Sequence, residues 1–155
     1  MGLDMYLTKK YYIGGQYEHR NVKGTIEIET DGVKIPIALK EIEYIECYAA
    51  QWRKANQIHQ WFVDNVQRGE DDCKKYDVSR EQLKELLDLC IQIKENPELE
   101  HELLPTQEGF FFGGTDYDEC YFADINETIE QLSKFDLTEN GYENEHCEYY
   151  YQSSW

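Results

Sequence analysis

A chain of 155 residues carrying 32 acids against 15 Lys and Arg, for a net charge of −17, is long enough to bury a core of its own, and its field repels a phosphate backbone. Direct binding of DNA or RNA is therefore not expected, and no apolar run approaches the ~20 residues that cross a bilayer, so no membrane partner is expected either. Five cysteines, at 47, 73, 90, 120 and 147, are odd in number and include no CxxC pair. That pattern speaks for reduced cytosolic thiols and against a disulfide framework, a metal centre or any cofactor.

In chain order, Leu3, Met5 and Leu7 alternate with Asp4, Tyr6 and Thr8, the period-two signature of a strand within residues 2–13. Residues 25–37 read as a hairpin: Ile26 and Ile28 alternate with acids, Asp31-Gly32 is a type I′ turn signal, and Val33, Ile35 and Ile37 resume the alternation. Pro36 cannot donate to a ladder, which puts the second arm at an edge. A helix is then expected to begin between Ile45 and Ala50 and to stop near Gly69, with Cys47 packed on or beside it as a small hydrophobe.

On that helix Trp52, Ala55, Ile58, Trp61, Phe62, Val63 and Val66 fill one arc, and Arg53, Lys54, Gln57, Gln60 and Asp64 fill the other. His59 falls inside the apolar arc, with Asn56 at its edge. An unpaired polar group in packed surface costs about 1–3 kcal/mol, so both require partners. One reading makes His59 a satisfied core histidine. The other makes Trp52, Arg53, Asn56 and His59 a ligand site, an indole to stack and a guanidinium to pair with phosphate. Neither supplies a catalytic residue, because no nucleophile or paired acid stands at a defensible spacing to His59.

Residues 68–78, with Glu70-Asp71-Asp72-Cys73, read as a solvated loop. Ser79 and Gln82 form a capping box for a helix that buries Leu83, Leu86, Leu87, Cys90 and Ile93 and ends at Asn96-Pro97. A further helical turn is expected around 99–104. GFFFGG at 109–114 reads as a buried strand, and a helix over 118–134 buries Tyr121, Phe122, Ile125, Ile129 and Leu132, with Asp116, Asp118 and Glu119 at its N-terminus. The glycines lack the lysine of a phosphate-binding loop. After a loop, the aromatic run from 147 on is expected to close the sheet. The whole is a single domain, 1–155, of class α+β: an antiparallel sheet of about four to five strands, taking in the hairpin and the GFFFG strand, covered by about three helices.

The charge is unevenly spread: residues 1–68 balance nine acids with nine Lys or Arg, whereas 69–155 hold 23 acids against six. Such a surface attracts basic proteins and competes with phosphate for their Lys and Arg. Candidate partner contacts are Asp116, Asp118, Glu119, Asp124, Glu127, Glu139, Tyr142, Glu143 and Glu145, with the tyrosine as an aromatic anchor.

The opening MGLDMYL, WRKANQIHQWF with the following DNVQ, LLPTQEGFFFG with Tyr117-Asp118 after it, and the closing YYQSSW resemble a family of small uncharacterised proteins of bacteriophages, prophages and bacterial genomes. The resemblance implies a setting, the bacterial cytoplasm, and no activity. With the charge asymmetry it leads to the expectation of a non-enzymatic, anti-CRISPR-like inhibitor that occupies the basic nucleic-acid groove of a host protein. A small-ligand or nucleotide-binding protein, with a small enzyme as its extension, and a tyrosine-rich homo-oligomeric component are the competing expectations.

Overall fold

The computed structural model describes residues 2–135, 137 and 147–155. Its centre is β1 (Asp4–Tyr12), whose alternation turns Met5 and Leu7, with Leu3 just before the strand, entirely away from solvent. Lys9 continues that inward row at the strand's far end, where its ammonium lies over the rings of Tyr11, Phe135 and Tyr149 at 4.8, 5.5 and 5.9 Å. The ring faces compensate part of what burial of the charge costs.

On one side β1 pairs antiparallel with β4 (Tyr44–Arg53), from Asp4 opposite Arg53 to Tyr12 opposite Tyr44, with a bulge between Leu7 and Thr8. On the other it pairs with β6 (Cys147–Ser154), which in turn carries the short β5 (Tyr76–Val78), giving the order β4-β1-β6-β5. The inward face shares one hydrophobic core with α1 (Asn56–Asn65), α2 (Arg80–Glu95) and α4 (Glu119–Leu132); a short α3 (Glu100–Leu103) precedes the loop leading to α4. At the centre of that core the rings of Phe62 and Tyr151 stack at 3.9 Å, 6° from parallel. The fold is α+β, as the patterns indicate.

Local signals placed several elements correctly. Asp31 and Gly32 both adopt positive φ, 50° and 76°, and join β2 (Thr25–Thr30) to β3 (Val33–Ala38). Ser79 and Gln82 close the capping box, and Asp118 caps α4 by accepting from the backbone N–H groups of Cys120 and Tyr121. The turn of helix near residue 100 and the closing strand are also present.

Three expectations are corrected. The hairpin forms its own two-stranded sheet and contributes no side chain to the core. GFFFGG is a turn, closed by Phe112 N–H donating to Gly109 C=O at 3.2 Å, and Phe110 stands 93% exposed at its tip. The chain from 44 to 53 is strand, so Trp52 and Arg53 lie outside the helix and Cys47 is exposed on β4. Ala50 and Trp52 point inward while Gln51 and Arg53 point out, the period of two of a strand, whereas a helix would turn Ala50 and Trp52 to nearly opposite sides. The junction is Lys54, at φ 61°, after which the helix begins.

Candidate functional site

That junction shapes a cleft of about 470 Å³ between the end of β4, the start of α1, the turn at 113–118 and the first turns of α4. A non-glycine residue in the left-handed region is held there by its surroundings. Lys54 N–H donates to Leu3 C=O at 2.8 Å, and Lys54 C=O accepts from Asn56 N–H at 2.9 Å. The turn presses against it closely enough that a Cβ on Gly113, itself at φ 91°, would lie 3.2 Å from the Lys54 Cβ.

Asn56 fixes the opposite wall. Its Nδ2 donates to Phe112 C=O at 3.1 Å and Gly114 C=O at 2.8 Å, and its Oδ1 accepts from Gln107 N–H at 2.9 Å. Both N–H donors of the amide and one lone pair of its oxygen are thereby directed at the backbone of one loop, which accounts for a buried asparagine at the start of a helix.

Of the four residues expected to hold a ligand, Arg53 and Asn56 line the cleft, while Trp52 and His59 stand behind it in the core. The Trp52 indole donates to Thr128 Oγ1 at 2.9 Å and packs on Phe62. His59, with no exposed surface, lies between Tyr151 OH, 2.7 Å from Nδ1, and Asp71 Oδ2, 3.0 Å from Nε2. A carboxylate can only accept, so Nε2 carries the proton and Nδ1 receives the tyrosine O–H. Asp71 also accepts from the Trp155 indole at 3.1 Å. The 68–78 stretch is thus tied to the core and is not simply a solvated loop; its last three residues are β5.

The acids divide in the same way. Asp116, Asp118 and Asp124 line the cleft, and Glu119 and Glu127 are exposed on α4 beside it. Glu139, Tyr142, Glu143 and Glu145 lie outside the described residues. Asp118 Oδ1 is engaged in capping, so the N-terminus of α4 already holds its own anion. Asp124 is different. Burial pushes its carboxyl up to about 6, the nearby Glu127 and Asp118 charges add to the rise, and a hydrogen bond from Gln57 Nε2 at 3.1 Å opposes it.

Gln57 was assigned to the polar arc of the predicted helix, yet it is only 2% exposed. Its partner is 67 residues away, so no local pattern could have revealed it. Lys54, Thr106 and Cys120, none of them anticipated, complete the site. The Arg53 guanidinium reaches Asp4 only at 3.7 Å, and among the described residues the Lys54 ammonium meets no carboxylate. Among those residues, too, no three His, Cys, Asp or Glu side chains are grouped to hold a metal ion, and no helix is long and apolar enough to cross a membrane.

Fold and cleft together define a small α+β protein with a recess walled by both signs of charge. No family model matches the chain, and neither a curated protein nor a solved structure matches it.

Proposed function

We propose that this is a non-enzymatic binding protein whose site is the cleft between the β4–α1 junction and α4, and that its ligand is a small polar molecule. The observation that carries the reading is a half-buried carboxylate, Asp124, that among the described residues has no cationic partner, in the same recess as two cations that among those residues are unpaired or weakly paired. A volume of about 470 Å³ falls in the range of small-molecule sites. Three motifs that carry the resemblance, WRKAN, LLPTQEGFFFG and Tyr117-Asp118, also converge on its walls. Thermal denaturation against a panel of nucleotides, amino acids and other charged metabolites tests the reading. A ligand at a hundred times its Kd adds about 2.7 kcal/mol to stability. Failure of every compound to raise the melting temperature would remove the support for it.

A second reading is favoured by Phe110, 93% exposed on the turn whose glycines line the cleft. An exposed aromatic ring on the same loop as Asp116 and Asp118, with Glu119, Asp124 and Glu127 on the helix that follows, has the composition of a hot spot for a basic protein. Its narrower form is a phage-type, anti-CRISPR-like inhibitor that occupies the nucleic-acid groove of a host protein in the bacterial cytoplasm. Binding of a purified CRISPR effector should then weaken steeply with salt, and should fall at least tenfold in Phe110→Ser and in the Asp116→Asn, Glu119→Gln, Asp124→Asn, Glu127→Gln combination. Inhibition left intact by both variants would sink it.

A further inference from the structure

The small-ligand reading leaves open what kind of molecule the cleft takes, and the arrangement of its polar atoms narrows that. Gln57 is almost wholly buried, lines the cleft and offers Nε2 to one oxygen of Asp124. Among the described residues its own Oε1 accepts nothing, and neither does the second oxygen of Asp124. Both acceptors open onto one recess, where they are available to a group rich in N–H. An ammonium or a guanidinium is such a group, and it also supplies the positive charge that Asp124 lacks.

The opposite charge lies close by. Arg53 and Lys54 line the same cleft, the first in a loose pair with Asp4 and the second with no carboxylate within reach among the described residues. Lys54 precedes Gln57 by three residues, so at most ~11 Å of chain separates the backbone positions of the two subsites. An anionic group a few bonds from the cationic one would span them. Asn56 has no donor to offer the anionic group, because both its N–H groups are spent on the loop.

We propose that the cleft is a site for an amino-acid-type zwitterion with a long basic side chain, its guanidinium or ammonium held by Asp124 and Gln57 and its carboxylate by Arg53 and Lys54. This rests on the small-ligand reading of the same site and specifies its ligand class. An anion alone would leave the Asp124 and Gln57 acceptors unfilled, and a cation alone would face Arg53 and Lys54 without compensation. Cys120, exposed on the wall four residues before Asp124, provides a built-in reporter of occupancy.

The test is calorimetric titration of the full chain with L-arginine, with agmatine, which lacks the carboxylate, and with inorganic phosphate. In parallel, protection of Cys120 from alkylation is followed by mass spectrometry. Expected is arginine binding at least tenfold tighter than either other probe, with Cys120 protected. Asp124→Asn should weaken arginine at least tenfold, and Arg53→Ala with Lys54→Ala should reduce it to the level of agmatine. Agmatine binding as well as arginine, or phosphate binding that Asp124→Asn leaves unchanged while arginine fails, would overturn the zwitterion and leave the cleft a ligand site of another kind. Silence from these three probes and from the whole metabolite panel would overturn the small-ligand reading itself.

Discussion

Replacing Asn56 by alanine removes three hydrogen bonds at once and leaves two carbonyls and an N–H of the 107–114 loop without partners. At about 1 kcal/mol for each bond, the loss is about 3 kcal/mol, measurable by chemical denaturation. The variant should also lose ligand binding, since the loop forms a wall of the cleft. Asp124 behaves in the opposite sense. Its folded value of about 6 lies above the ordinary 3.8, so the native state holds this proton more tightly than the unfolded chain. The stabilisation that brings is complete below about pH 4 and is lost as pH rises through 6. Above that, an ionised carboxylate sits half-buried beside Glu127 and Asp118, with Gln57 as its one hydrogen-bond donor among the described residues. Asp124→Asn keeps that bond and removes the charge, so it should raise the melting temperature at pH 7.5 and change it little at pH 4. Equal effects at the two values would contradict the assignment.

Among the elements, β4 forms an outer edge of the sheet, where unpaired backbone groups invite another chain. Gln131 of α4 covers that edge with its side chain, Oε1 accepting from Gln51 N–H and Nε2 donating to Gln51 C=O, both at 2.8 Å. Gln131→Ala uncovers both groups, and light scattering over a concentration series should then detect association that the parent chain does not show. A monomer at every concentration would mean that the bulge and the twist of β4 suffice. The β2–β3 ribbon, apart from the core, is marginal by itself, and its amides should exchange with deuterium at least tenfold faster than those of β1.

What could be read from sequence follows the range of the forces concerned. The hairpin, the capped helices and the two central strands of the sheet announce themselves within a few residues, through Asp31-Gly32, Ser79 with Gln82, the alternation of Leu3, Met5 and Leu7, and the aromatic run from Cys147. β4 does not, because only Ala50 and Trp52 of its ten residues are buried, too brief an alternation to outweigh the helical pattern that follows, and β5 is too short to carry a pattern. GFFFGG is apolar enough for a strand, but contacts from Asn56, more than fifty residues earlier, hold it as a turn. The same limit governs the site. Arg53 and Asn56, singled out by their neighbours in sequence, line the cleft. His59 and Trp52 could be assigned to the core only by knowing Tyr151 and Thr128, which lie 92 and 76 residues further along.

For the whole molecule, the excess of acid in 69–155 sets the response to ionic strength. Charges of one sign concentrated on residues 96–132, which include α4 and hold ten acids and no Lys or Arg, repel across distances that a Debye length of ~30 Å at 0.01 M leaves unscreened and ~3 Å at 1 M removes. The melting temperature should therefore climb by several degrees over that range. A flat profile would show that Lys84, Lys94 and Lys134 already neutralise the field locally.

The position of β6 has a consequence for how the molecule is made. It fills the middle of the sheet, between β1 and β5, although it is the last strand along the chain, and Thr8 reaches Tyr150 across 142 residues. At about 5–20 residues per second, a ribosome takes on the order of ten seconds to travel from one to the other. For that interval the nascent chain holds the β1–β4 pair and the three residues of β5 without the strand that joins them. The place of that strand is also a socket. A chain ending at residue 135 should stay open until a free peptide of sequence CEYYYQSSW is added, and should then regain the core, which makes this fold a natural candidate for splitting into a receptor and a complementing tag.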